Sequence, residues 1–172
     1  MTSSTSAQQV RAEDLRRTMA RFPSGVTVVT TIDACGVPRG FTASSLVSVS
    51  LDPPLVSVCV AYDAQCYPAF AECSHFAVSV LRHDHGPLAR VFASKGADKF
   101  GHGPFARTPG GLPAVRDAVA VLECATFGRH PAGDHVILVG RVQHTVITDG
   151  VPLVFADQRF QPLNPVPAPG AR

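Results

Sequence analysis

A chain of 172 residues and 18.1 kDa, 45% hydrophobic and 16% charged, has the size to fold around one core, and no apolar run approaches the roughly 20 residues of a membrane-spanning helix. Its formal net charge of +2 is too small for a nucleic-acid surface, so neither nucleic acid nor membrane is an expected partner. Five cysteines, an odd number with no CxxC pair, point to reduced thiols.

Met1 to Gln9 is polar and lacks the basic start and apolar stretch of a secretory signal, so residues 1–12 are expected to form a flexible leader in a cytoplasmic protein. Leu15, Met19 and Phe22 recur at helical spacing, with acidic residues at the favourable end, and predict an amphipathic helix over Glu13 to Phe22. Arg11, Arg16, Arg17 and Arg21 would lie on its solvated face. Gly25 to Ile32 is rich in β-branched residues, and Asp33 to Pro38 supplies turn chemistry before a strand at Phe41, a hairpin signature. Strand-like runs follow at Leu46 to Ser50, Leu55 to Val60, Phe76 to Leu81, Val119 to Thr126 and His135 to Val142. Gln143 to Ile147 and Pro152 to Phe155 follow. Short helices fit at Pro68 to Cys73 and at Gly86 to Ala93, with Asp84 as the cap of the latter. Phe160 to Arg172 holds four prolines in thirteen residues and reads as an extended arm or disordered tail. The folded domain is therefore expected over 13–161, with a Pro-rich tail at 162–172. Many strands joined by Gly/Pro turns with few crossover helices predict a mainly antiparallel barrel or sandwich, of which we take the barrel.

The sequence lacks GxGxxG, GxxxxGK[ST], GxSxG and HExxH, so dinucleotide-fold, P-loop, α/β-hydrolase and zincin chemistries are missing their working parts. His83-Asp84-His85 offers two metal ligands two residues apart with no third well-spaced partner, and no metal is expected. The informative stretch is Gly40-Phe41-Thr42-Ala43-Ser44-Ser45. It is a corner of small residues between two β segments, whose N–H groups and hydroxyls can face a flat hydrogen-bonding ring, or simply satisfy the turn's own backbone.

Several separated motifs occur in a fixed order: Arg21-Phe22-Pro23-Ser24-Gly25-Val26-Thr27-Val28-Val29-Thr30, then Gly40 to Val60, Phe76 to Leu81, Phe92-Ala93-Ser94-Lys95-Gly96-Ala97-Asp98-Lys99-Phe100-Gly101, and Gly133-Asp134-His135 with Val136 to Val142. Across approximately residues 14 to 161 the chain resembles the flavin reductase-like split-barrel family. It is most similar to the short NAD(P)H:flavin reductase components of two-component flavin-dependent monooxygenases, including those serving aromatic hydroxylases of antibiotic pathways.

The resemblance implies an antiparallel split β-barrel of the FMN-binding, Greek-key type with a few short peripheral helices, paired as a homodimer. It implies an FMN or FAD acceptor, NADH (or NADPH) as hydride donor and a partner oxygenase that receives reduced flavin. By resemblance, Thr42, Ala43, Ser44 and Ser45 with Ser57, Val58 and Cys59 border the flavin ring. Phe92, Lys95, Lys99 and Phe100 lie at the phosphate and ring edge, and Phe155 and Arg159 in a region closing over the site. Gly133, Asp134 and His135 lie near the nicotinamide, with His135 and Asp134 as positioning groups. The chain departs from the family after Val60: where many members carry a hydroxyl pair, it has Asp63-Ala64-Gln65-Cys66. Backbone N–H groups of Gln65 and Cys66 are expected to substitute there for a side-chain phosphate contact. The alternative from a different class is a flavin or haem carrier or sensor on the same fold. A pyridoxamine phosphate oxidase relative would call for a cluster of arginines around a second phosphate, which the sequence does not show.

Overall fold

A computed structural model describes residues 10–163 except His102. Helix α1 (Ala12–Met19) leads into β1 (Ser24–Gly25), β2 (Thr27–Ile32), β3 (Pro38–Ala43), β4 (Val47–Leu51) and β5 (Pro54–Ala61). After α2 (Tyr67–Glu72) come β6 (His75–Val80), a 3-10 turn (His83–His85) and α3 (Gly86–Ala93). Then follow β7 (Phe105–Arg107), β8 (Pro113–Val115), β9 (Ala120–Ala132), β10 (His135–Ile147), β11 (Leu153–Ala156) and β12 (Arg159–Pro162).

One antiparallel sheet has the order β3-β2-β6-β9-β10-β5-β4, and a smaller one the order β1-β11-β12. Laid flat, seven strands about 4.8 Å apart would separate β3 from β4 by about 29 Å. Yet Ala43 at the end of β3 and Val47 at the start of β4 are joined only through Ser44, Ser45 and Leu46, a reach of about 15 Å at most. The sheet must therefore curl until its two edges approach, a barrel split at the Ser44–Leu46 corner. This is the mainly β architecture the sequence predicts.

The curled sheet encloses one core of Val29, Val58, Val60, Phe70, Phe76, Val78 and Leu138. A second core, with Val26, Val28, Leu81, Ala89, Phe92 and Val115, lies between the outer face of β2 and α3. Because β2 is covered on both sides, with five of its six residues buried, its sequence is a continuous β-branched run with no polar alternation.

Several elements differ from the sequence reading, each for a local reason. The expected helix through Phe22 stops at Met19, and the chain leaves it through tighter turns, Arg21 N–H to Thr18 carbonyl at 3.1 Å and Phe22 N–H to Met19 carbonyl at 3.0 Å. The expected Gln143 to Ile147 strand is the continuation of β10, interrupted only by an irregularity between Val142 and His144. β1, β7, β8 and β12 are two to four residues long and carry no readable periodicity. β12 claims the first residues of the Phe160 to Arg172 arm by pairing Phe160 with Phe155, whereas 164–172 lie outside the described residues, as do residues 1–9 of the leader. Asp84 does not cap α3. It sits in the 3-10 turn and takes Arg82 in a two-pronged pair at 2.7 and 2.8 Å, and the Arg82 guanidinium holds its carboxyl down at about 2.

Two tertiary contacts stand out for having no sequence signature. Arg129 on β9 reaches the end of α2, donating from Nε to the Phe70 carbonyl at 3.0 Å and from its terminal nitrogen to the Cys73 carbonyl at 2.5 Å, so it satisfies carbonyls that a six-residue helix leaves free. Glu123, buried on β9, accepts the Gly110 N–H at 3.0 Å. Burial pushes its carboxyl up, but the Gly110 N–H, the Thr108 hydroxyl, His144 and His75 outweigh burial and leave it below its ordinary value. A depressed folded-state pKa contributes stability above the unfolded value and loses it as pH falls through the folded one. Chemical unfolding of wild type and Glu123→Gln is therefore expected to show an advantage of about 1–2 kcal/mol for wild type at neutral pH. That advantage should shrink below about pH 4, and a pH-independent difference would contradict it.

Candidate active site

The barrel's split opens onto a cavity of about 400 Å³ where the Thr42 to Ser45 corner, the end of β5, the 63–66 segment, the end of α3 and His135 meet. Each wall has a physical cause. α3 comes close to β3 because position 40 is glycine: a Cβ there would stand 2.8 Å from Phe92 Cε1 and 2.9 Å from the Val29 carbonyl oxygen. Thr42 Oγ1 donates to the Ala89 carbonyl at 2.7 Å. Lys99 Nζ donates to the carbonyls of Phe92 at 2.9 Å and Gly40 at 3.2 Å. These contacts clamp α3 and the following loop onto β3.

Across the split, Ser45 Oγ accepts the Cys59 N–H at 2.9 Å and ties the corner to β5. The Thr42 and Ser45 hydroxyls thus have structural partners. Among the described residues no hydrogen bond is found for the N–H groups of Ser44, Ser45 and Leu46 in the turn and loop contacts, so this corner keeps backbone donors for a ligand.

His135 begins β10, paired with Ala61 of β5 and Ala132 of β9. The two-residue link Gly133-Asp134 has Gly133 at φ +60°, the conformation a tight hairpin with Gly first requires. The turn is fixed to β5 by the Tyr62 N–H, which donates to the Asp134 carbonyl at 3.0 Å. His135 Nδ1 lies 2.6 Å from Asp134 Oδ1. The carboxylate accepts from Nδ1–H, which leaves the Nε2 edge of the imidazole for other partners. The His135 hydrogen bond lowers the Asp134 carboxyl, and Arg16 of α1 adds a smaller electrostatic contribution in the same direction.

At the other end of the cavity Lys95 Nζ pairs with Asp63 at 3.1 Å and the Gly96 N–H donates to Gln65 Oε1 at 2.9 Å. Lys99 has no carboxylate within ion-pair distance among the described residues, and burial holds its ammonium below the ordinary lysine value, with the Cys66 thiol pulling weakly the other way. A half-buried cation without a carboxylate suits an anionic ligand group. The Cys66 thiol is pushed up by its burial and offers no reactive thiolate.

Thr42, Ala43, Ser44, Ser45, Cys59, Gln65, Cys66, Phe92, Lys95, Lys99 and His135 all line this one cavity. Others from the sequence list do not. Val58 is fully buried in the barrel core, as strand alternation requires when Cys59 faces out, and Ser57 pairs with Val47 farther along β5. Phe100 lines a neighbouring cavity of about 240 Å³ and packs edge-on against Phe92. Gly133 and Asp134 lie in the hairpin turn beside His135. Phe155 and Arg159 belong to the β1-β11-β12 sheet, Phe155 packing on Phe160 in the outer core. Gln65 and Cys66, whose backbone N–H groups are expected to substitute for a side-chain phosphate contact, line the cavity just before α2, and among the described residues the turn and loop contacts give neither N–H a partner. Sequence reasoning missed Asp63 and Ser94 as cavity-lining residues. Asp63 was legible as a departure from the family pattern but not as a partner of Lys95. Among the described residues no three His, Cys, Asp or Glu side chains gather as a metal ion would need.

Corner amides, a partly buried lysine and a second, exposed lysine on one cavity of about 400 Å³ form a donor set that fits an isoalloxazine ring carrying a phosphate. Residues 19–164 match the family described as Flavin reductase like domain. The chain is 55% identical over 150 residues to the actinorhodin polyketide dimerase of Streptomyces coelicolor, covering 87% of this chain and 85% of that one. It is 46% identical over 132 residues to the NADH:riboflavin 5'-phosphate oxidoreductase of Streptomyces pristinaespiralis, covering 76% and 75%. It superposes with a TM-score of 0.84 at 38% identity on the Streptomyces globisporus NADH:FAD oxidoreductase SgcE6, solved in complex with NAD and FAD fragments, covering 96% of this chain and 100% of that one. Of one longer solved relative the chain spans 53%. The match runs through β1 to β12 and so through every wall of the cavity at the split, and it makes this chain a member of the flavin reductase-like domain family.

Proposed function

We propose that the chain is an NADH:flavin oxidoreductase that reduces FMN or FAD and hands the reduced flavin to a partner oxygenase. The observation carrying this reading is that segments as distant in sequence as Thr42–Ser45, Lys95–Lys99 and His135 line one cavity at the barrel's split. In the reaction, a hydride leaves C4 of the reduced nicotinamide for N5 of the flavin, which with a solvent proton yields NAD+ and two-electron-reduced flavin. The Ser44–Leu46 amides would bind the ring's polar edge, where negative charge collects on reduction, without a titrating acid. Lys95 and Lys99 would hold the phosphate end. Asp134 would orient His135, whose free Nε2 edge would position the nicotinamide. Orientation at about 3–3.5 Å, rather than proton abstraction, is the contribution this reaction asks of the protein.

Anaerobic mixing of the purified chain with FMN and NADH is expected to bleach the flavin's visible absorbance. A chain that binds flavin and leaves it oxidised with both NADH and NADPH would be a carrier instead. Arg129 donates to α2 carbonyls and Arg141 stacks on Phe127; NADH is favoured as the donor by the relatives named for it, an NADH:riboflavin 5'-phosphate oxidoreductase and an NADH-dependent flavin reductase.

The same proposal includes a homodimer. β4 is an edge strand with Val47, Val49 and Leu51 exposed, Leu51 at 90%, an apolar edge that a second copy would cover. Sedimentation of the assayed sample should give twice the chain mass. No described helix is long and apolar enough to cross a membrane. We infer a cytoplasmic protein from its five unpaired thiols, with the domain spanning 13–161.

A further inference from the structure

The loop after α3 carries two neighbouring donors, Lys95 Nζ, which lines the cavity, and the Gly96 N–H beside it, and both are occupied by residues of the 63–66 segment. Asp63 takes the first at 3.1 Å and Gln65 the second at 2.9 Å. Asp63, Gln65 and Lys95 line the cavity together, and Asp63 is the one carboxylate among its lining residues, set against the ammonium groups of Lys95 and Lys99. Both members of the ion pair are well exposed, 67% for Lys95 and 79% for Asp63, so the pair is weak enough to be opened by a competing anion.

We propose that Asp63 is a specificity-determining residue that competes with the flavin phosphate for Lys95. Resting on the flavin reductase reading above, this gives that site a built-in brake on phosphate affinity. A dianionic phosphate entering here must displace one carboxylate and then remain beside it. The gain from Lys95 is therefore partly cancelled, while contacts to the ring are untouched. The consequence is a flavin held mainly by its ring and exchanged readily, as a chain that delivers reduced flavin to another protein requires. Gln65 restores the loop when the phosphate leaves, by recapturing the Gly96 N–H.

The test is a fluorescence-quenching titration of FMN and of riboflavin, which has the same ring without the phosphate, against wild type, Asp63→Asn, Lys95→Met and the double variant. Asp63→Asn is expected to lower the Kd for FMN about fivefold and to leave that for riboflavin unchanged. In the Lys95→Met background the same substitution should give a clearly smaller gain. Asp63 is exposed, so the substitution leaves the core untouched, and a matching melting temperature checks this. An FMN-to-riboflavin affinity ratio unchanged by Asp63→Asn, or a parallel shift of both ligands, overturns the proposal. A wild-type chain that binds both flavins without reducing them defeats the reductase reading alone, since the affinity ratio still decides the role of Asp63. A chain that binds neither flavin overturns both.

Discussion

Replacing His135 with alanine is expected to slow NADH-driven reduction of bound flavin by about 10- to 100-fold while leaving flavin affinity little changed. The imidazole sits where β10 begins, held from one side by the Asp134 carboxylate at 2.6 Å and from below by the pairing of His135 with Ala61 and Ala132. A side chain fixed this way can hold a second ring over the first without a large share of the first ring's binding. Truncation leaves the corner amides and both lysines in place, so the loss should appear in the reduction step of an anaerobic stopped-flow trace and in the apparent affinity for NADH. Asp134→Asn should cost less, because its amide oxygen can still accept from Nδ1–H. An unchanged rate constant for reduction in His135→Ala would remove this residue from the mechanism. The lowered Asp134 carboxyl stays charged through neutral pH, and the pair weakens only as pH falls through that depressed value.

The second large effect is expected at Gly40. Alanine there would set a Cβ 2.8 Å from the Phe92 ring and 2.9 Å from the Val29 carbonyl oxygen; the ring can turn slightly, but the carbonyl belongs to the β2 ladder and cannot. Overpacking of this kind costs about 1–3 kcal/mol, with Tm falling roughly 2–4 °C per kcal/mol in a chain of this size. The strain also has a direction. The Phe92 side of the clash is relieved as α3 lifts from β3, which would strain the Thr42 bond to Ala89 and the Lys99 bond to Phe92. Flavin affinity should therefore fall together with stability. Gly25→Ala is the matched control, since a Cβ there meets nothing within 4 Å and should shift stability by no more than about 0.5 kcal/mol. Equal effects of the two substitutions in thermal melts and flavin titrations would refute this account of how the cavity wall is held.

These expectations show how site and fold were divided between sequence and structure. The ring-facing corner was legible because its chemistry is local: Gly40 to Ser45 are small, consecutive and uncharged, and their amides serve whatever the barrel closes around. The Gly133-Asp134-His135 turn was legible for the same reason, a two-residue hairpin needing glycine at one position. The Ser57-Val58-Cys59 strand was expected to border the ring mostly through its main chain; the structure adds only that the Val58 side chain turns into the core while Cys59 lines the cavity, because alternation shows that one residue of each pair faces inward but not which face is the core. Phe155 and Arg159 were assigned by resemblance to a region closing over the site; the structure puts them on β11 and β12, which join β1 in a separate sheet and do not line the cavity. Short strands such as β7 and β8 had no period to read.

By itself the sequence determined that this is a mainly β chain of the flavin reductase-like family with a backbone-lined corner, since β-branched runs, turn residues and ordered motifs are properties of neighbours in the chain. Only the tertiary structure decided that β3 and β4 become the two lips of a split barrel, that Arg129 belongs to α2 and not to a ligand, and that Asp63 holds Lys95. Each of those outcomes joins residues more than thirty positions apart or edges of one sheet. Their pairing follows from how the curled sheet closes, a geometric condition on the whole chain that no local pattern encodes.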